Sequence, residues 1–120
     1  MINISANELV TMVRGDSFSI PLFINFLDKL HLVRYELIEG DVVQFRVMPA
    51  HCPWEDSPIQ KEYTKEDVNE DGDIIVSFVP EDTEPLEPGK YYYEVKLIHE
   101  HEDYTAVNTL ITRRQFMILG

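Results

Sequence analysis

Residues 72–99 run GDIIVSFVPEDTEPLEPGKYYYEVKLIH, and this stretch decides the fold. An acidic Gly turn opens into alternation, with Ile74, Val76 and Phe78 set against Ile75, Ser77 and Val79. Pro80-Glu81-Asp82-Thr83 caps that segment. Glu87-Pro88-Gly89 then turns into a second alternation, Tyr91, Tyr93, Val95 and Leu97 against Tyr92, Glu94 and Lys96. Successive side chains of a strand point to opposite faces, so each set lands on one face. Strand, acidic turn, short cap, Pro-Gly turn and strand follow the grammar of an antiparallel β-sandwich. Nothing in the stretch is built for chemistry.

The same period recurs upstream. Phe18, Ile20, Leu22 and Ile24 form one set, and Val43, Phe45 and Val47 another. These sets, with the two above, are the expected core. Turns fall at Arg14-Gly15-Asp16, Glu39-Gly40-Asp41 and Asp71-Gly72-Asp73. Strands are expected at 8–13, 17–25, 42–48, 59–64, 73–79 and 90–99, near 103–111 and near 114–119, with a hairpin at His99–Asp103. The expected fold is all-β: an Ig-like antiparallel β-sandwich of seven to eight strands in a single domain, 1–120. Residues 26–38 fit a helical turn and an extended crossover equally. Thr64-Lys65-Glu66-Asp67 has capping-box spacing and predicts one helical turn. Residues 49–58, the loop holding Trp54, are the longest irregular stretch.

A chain of 120 residues suits one hydrophobic core, and 44% hydrophobic content argues against disorder. The net charge of −12, from 10 basic and 22 acidic residues, repels nucleic acid and anionic lipid. It also keeps copies apart unless a partner or cations neutralise them. Cys52 is the one cysteine, so no internal disulfide forms, which suits a reducing compartment or a particle assembled in one. The start MINISANELV lacks the pattern of a signal peptide, and no apolar run has a membrane helix's length.

The run Pro80-Glu81-Asp82-Thr83, Leu86 and Pro88-Gly89-Lys90-Tyr91-Tyr92-Tyr93-Glu94-Val95-Lys96-Leu97 resembles a signature of small Ig-like β domains in tailed-phage virion proteins. The N-terminal domains of upper baseplate proteins are one such group. Arg14-Gly15-Asp16 and Gly40-Asp41-Val42-Val43-Gln44-Phe45-Arg46-Val47 are similar too. The resemblance touches about half the chain, and its motifs encode turns and core strands. It implies an Ig-like fold and a virion or assembly-stage bacterial cytoplasm as the setting. The chain stops at Gly120, so the expectation is a small virion accessory or structural protein rather than a receptor carrier.

Three constellations bear on chemistry. Asp67-x-Asn69-x-Asp71-Gly72-Asp73 matches the first half of an EF-hand calcium loop, but Phe78 stands where the bidentate Glu belongs. Asp67, Asn69, Asp71 and Asp73 are thus an incomplete calcium candidate. The competing reading is an acidic turn in which Gly72 takes positive φ. His99 and His101, with His51 and Cys52, are zinc-type ligands without a zinc spacing; a solvated hairpin tip explains the first two. Cys52 beside His51 lacks a third group to orient a base, so a small hydrolase is the least favoured reading. Arg14-Gly15-Asp16 spells an integrin tripeptide but reads better as a tight turn.

The aromatic residues point to partners. Trp54, Tyr92 and Tyr104 are the expected partner contacts, because Tyr and Trp bury large area with a polar handle. The reading is a non-enzymatic structural or assembly protein with no cofactor. Its partners are proteins, either virion subunits or copies of itself, met through loops and edge strands. A carbohydrate- or calcium-dependent binding module is the alternative.

Overall fold

The computed structural model describes residues 2–5, 10–100 and 102–120; at 2–5, 23, 25–28, 32 and 112 the description is of the backbone. Residues 8 and 9 of the expected first strand, and His101, lie outside the described residues. The chain is all-β. Its strands are β1 (Ile2–Ser5), β2 (Val10–Val13), β3 (Phe18–Asp28), β4 (His31–Arg34), β5 (Asp41–Met48), β6 (Ile59–Tyr63), β7 (Ile74–Phe78), β8 (Gly89–Glu100) and β9 (Thr105–Leu119). One helical turn, α1 (Pro80–Thr83), and 3-10 turns at Trp54–Asp56 and Lys65–Asp67 lie between them.

Two sheets share one core. The larger has the order β2-β9-β8-β5-β6. The smaller is built on β3, which pairs with β7 through Phe18–Leu22 and with β1 and β4 through its second half. Every pairing between these strands is antiparallel except β2 with β9, which is parallel. The larger sheet is therefore mixed rather than purely antiparallel. β2 occupies the far side of β9's last residues, Phe116–Leu119, and pairs with their N–H and C=O groups.

The period-two sets are inside. Leu22, Val43, Phe45, Val47, Val76 and Val95 are fully buried, and Ile20, Ile24, Ile74, Phe78, Tyr93 and Leu97 nearly so. Phe18 and Tyr91 are half-buried against the same cluster. The aromatic rings meet across the sheets. Phe78 of β7 lies edge-on to Phe45 of β5 at 5.8 Å between centroids and 5.6 Å from Phe116 of β9. Phe45 stacks on Tyr93 at 5.5 Å. Such pairs add about 0.5–1.5 kcal/mol each beyond area burial.

Three expectations change. The described strands number nine, not seven or eight. One extra is β1, Ile2-Asn3-Ile4-Ser5, which alternates but is only four residues long. The other comes from residues 26–38, which contain neither a helical turn nor a plain crossover. They complete a β3–β4 hairpin through Lys29-Leu30, where Lys29 takes φ +51°, and then cross over at 35–40. The separate strands near 103–111 and 114–119 are one strand, β9. Its register against β8 shifts between Tyr93 and Lys96, which places Leu110 and Ile111 both inside and breaks the visible period.

Turns act as fasteners. Gly15, at φ +82°, donates its N–H to the Thr83 hydroxyl at 2.8 Å, and the Arg14 guanidinium donates to the Glu84 carbonyl. That bond explains why Thr83 is fully buried. Asp82 caps α1 by accepting the Val79 N–H at 2.8 Å, and its carboxylate also receives Lys61 Nζ at 2.8 Å. The two sheets are thus tied at their edges as well as through the core.

Phe78→Ala should be the costliest truncation in the aromatic cluster, because its cavity faces both sheets. An expected loss of about 3–5 kcal/mol in urea unfolding should exceed that of Phe18→Ala, whose ring is only half-buried. Equal losses would mean that Phe78 does not join the sheets.

Candidate functional site

The outer face of the larger sheet holds most of the polar chemistry. Register arranges its outward side chains in rungs: Val42–Ile98–Val107 at one end, then Glu62–Gln44–Lys96–Thr109, then Gln60–Arg46–Glu94, and Met48–Tyr92–Gln115 at the other end. The loop 49–58 folds back over this face. The Trp54 ring centroid lies 4.4 Å from the Arg46 guanidinium and 4.3 Å from Lys96 Nζ. Arg46 also donates to the Trp54 carbonyl at 2.9 Å, and Arg113 donates to the Cys52 carbonyl. Glu94 sits 3.7 Å from both Lys96 and Arg113, holding the cations in place. Met48 points outward by register yet is fully buried and stands apart from the main core. The strapped loop is the candidate cover, since its 3-10 turn packs on β5.

The three expected partner contacts therefore differ. Trp54 is half-buried, held against its own sheet by two cations. Tyr92 is half-buried on the same face, in the rung of Met48. Tyr104 is 60% exposed just before β9, and Val107 within the strand is 56% exposed. Tyr104 is thus the most outward of the three.

The acidic turn spends its oxygens internally. Asn69 Oδ1 accepts the N–H groups of Asp71 and Asp73 at 3.0 and 2.9 Å. Asp67 Oδ2 accepts the Thr64 N–H at 2.8 Å, closing the predicted capping box of the turn Lys65–Asp67. Arg34 reaches Asp73 at 3.4 Å and donates to the Asp71 carbonyl. Gly72 takes φ +83°, the conformation expected of it. Among the described residues, no three His, Cys, Asp or Glu side chains gather as a metal-holding group. The turn walls one side of a groove of about 600 Å³ lined by Leu22, Ile24, Val68 and Ile74.

His51 and Cys52 follow β5 at Met48, while His99 faces Asp41 at the other end of that strand. At roughly 3.3 Å per residue the two ends are about 23 Å apart, so these zinc-type ligands are not brought together. His101 is outside the described residues.

A buried polar network escaped sequence reasoning. Asp41 is 2% exposed. Its Oδ2 accepts the Tyr35 hydroxyl at 2.6 Å and the Ile38 N–H at 3.0 Å, and its Oδ1 meets His99 Nδ1. Gly40, at φ +92°, lets the crossover pass so close to β8 that a Cβ would sit 3.2 Å from the Glu100 carbonyl. Burial alone raises a carboxyl's pKa. Here the bonds from Tyr35, Ile38 and His99, with the histidine's charge, outweigh it and hold Asp41 below the usual range. Burial first, then the bond to Asp41 and its charge, push Tyr35 up to about 12. The available signal was an Asp one residue before a strand, which looked like another turn acid. The network pins the crossover 35–40.

No family model and no curated protein matches the chain. Among solved structures it is similar to AggA, the major subunit of aggregative adherence fimbriae type I, from Escherichia coli. The identity is 11% over 98% of this chain and 94% of that one, with a TM-score of 0.38. At that score the likeness carries no argument about fold or function.

Trp54→Ala should unstrap the loop. The expected cost is about 1–3 kcal/mol, from two cation–π contacts and the cover over Met48. Peptide mapping after peroxide treatment should find Met48 sulfoxide forming faster than in the parent. Unchanged Met48 oxidation would mean that another group covers it.

The Asp41 network sets a signed pH dependence. Its folded pKa is depressed, so its contribution is present above about pH 4, the unfolded value, and is lost as pH falls through the folded value. Asp41→Asn should be less stable at neutral pH by about 1–3 kcal/mol and should show a flatter acid limb in thermal melts. Tyr35, with a raised pKa, contributes below pH 10 and stops contributing as pH passes about 12. Tyr35→Phe should flatten that alkaline limb.

Proposed function

We propose that this chain is a non-enzymatic docking module, an immunoglobulin-like sandwich that seats against neighbouring protein subunits through a strand edge and loops. The observation that carries the proposal is the far half of the β8–β9 hairpin. Val107 and Asn108 point to opposite faces, and both are exposed. Among the described residues, no strand pairs with the outer edge of β9 over Thr105–Thr109. Such an edge presents backbone N–H and C=O groups to a partner strand. Tyr104 and Val107 add exposed apolar surface beside it.

The immunoglobulin-like reading is supported by topology. β3 and β7 pair in one sheet, β6-β5-β8-β9 run in the other, and the first strand's course is divided between them as β1 and β2. A sugar platform is less well supported, because Arg46 and Lys96 already occupy the Trp54 ring. A thiol hydrolase is likewise disfavoured. Cys52 Sγ faces the Pro53 carbonyl at 3.4 Å, and His51 is exposed on a left-handed backbone. The setting we propose is a tailed-phage particle and the bacterial cytoplasm in which it assembles. It rests on the resemblance of Pro80–Leu97 to virion domains.

Co-expression with the products of the genes flanking its own tests the proposal. A complex should survive gel filtration, and Val107→Lys should weaken it by at least about tenfold. A hydrolytic activity abolished by Cys52→Ser would overturn the reading. So would complexes indifferent to substitution at the β9 edge.

A further inference from the structure

The unpaired edge of β9 over Thr105–Thr109 lacks the protection that the edges of β6 and β7 carry. β6 carries Gln60, Lys61 and Glu62, polar or charged along its length. β7 faces side chains of β6: the Tyr63 hydroxyl is hydrogen-bonded to the Ser77 backbone, and Lys61 Nζ lies 5.7 Å from the centre of the Phe78 ring. β2 covers β9 itself over Phe116–Leu119. Among the described residues, no strand pairs with Thr105-Ala106-Val107-Asn108-Thr109 on this side, although β1 packs against β9; the segment holds no charge or proline, and the register shift against β8 follows directly after Thr109.

Charge is distributed unevenly around this edge. The chain has 22 acidic residues, yet none lies in 104–120, where Arg113 and Arg114 are the charged groups. The hairpin tip just before it is acidic, with Glu100, Glu102 and Asp103 all exposed. A stretch of cationic and neutral edge thus adjoins an anionic tip on the same strand pair.

We infer that a second copy of this chain pairs antiparallel with Thr105–Thr109, and that the acidic tip of each copy lies beside Arg113 of the other. This rests on the docking reading and names its occupant. A two-fold contact requires that residue i meets j while j meets i. Centred on Val107, the segment meets that condition: Thr105 opposes Thr109, Ala106 opposes Asn108, and Val107 opposes itself. Thr–Thr and Val–Val pairs are favourable cross-strand neighbours. Asp103, just before β9, then lies past Thr109 of the other copy, on the side of Arg113. The Arg113 side chain is 34% exposed, so it can reach an incoming carboxylate. The net charge of −12 opposes association, but that repulsion is screened beyond ~8–10 Å at physiological salt, and the contacting segment itself holds no acid.

Sedimentation equilibrium of the full chain, up to millimolar concentration, tests this. The parent should form a reversible dimer. Val107→Lys sets two ammonium groups face to face at the axis and should raise the dimer Kd by at least about tenfold. Arg113→Glu should do the same, and adding Glu102→Arg and Asp103→Arg to it should restore the dimer. Circular dichroism of each variant checks that the fold is kept, and Val107→Lys guards against a fold effect at Arg113. A monomeric parent, a dimer indifferent to Val107→Lys, or no recovery on charge exchange would overturn the inference. A monomer that still binds a flanking gene's product would overturn self-pairing alone; a monomer that binds none would overturn the docking reading with it.

Discussion

Phe78 is the constraint on which the two sheets depend. It comes from the smaller sheet and touches Phe45 and Phe116 of the larger one, while Phe45 stacks on Tyr93. A sheet of this size buries only one face, so its stability comes from what packs on that face. Here the contact is aromatic and central, and the aliphatic residues on either side fill the remaining space. The edges are then closed by polar fasteners, with Thr83 holding the Gly15 turn and Lys61 bridging to Asp82. Core and edges are joined by one short segment, Phe78 to Thr83.

The polar residues divide into two kinds of work. Asp41, Tyr35 and His99 form a buried network that fixes a crossover, and its cost of burial is met by hydrogen bonds to each carboxylate oxygen. Arg46, Lys96 and Arg113 fasten a loop from outside, over an outward-facing methionine. Both sets bind parts of the chain to one another. The exposed groups beyond them, at the far end of β8 and β9, are backbone edge, Tyr104 and Val107.

That division also explains the fate of the expected site residues. A Pro-bounded loop marks Trp54 in the sequence as a partner anchor. The loop instead returns to its own sheet, since Arg46 and Lys96 offer the ring two cations on a diagonal of the pleat. The Asp67–Asp73 segment carries the oxygens of a calcium loop, but Asn69 and Asp67 turn theirs onto nearby backbone N–H groups. Both outcomes depend on which atoms lie next to a side chain, and sequence spacing does not contain that.

By itself the sequence determined the all-β class and the core, because alternation maps directly onto the two faces of a strand. Ile74, Val76 and Phe78, and Tyr93, Val95 and Leu97, are buried as their period requires. It also determined the turns at Gly15, Gly40 and Gly72, where positive φ favours a residue without a Cβ. Tertiary structure decided the rest. Residues 26–34 became part of a hairpin because β3 is long enough to pair with β4 beyond its contact with β7. β9 stayed one strand because a register shift absorbed the residues that broke its period. Asp41 became a buried network rather than a turn acid because Tyr35 and His99, six and fifty-eight positions away, converge on its two oxygens. Local pattern reports which face a side chain occupies; only the folded chain brings distant partners to it.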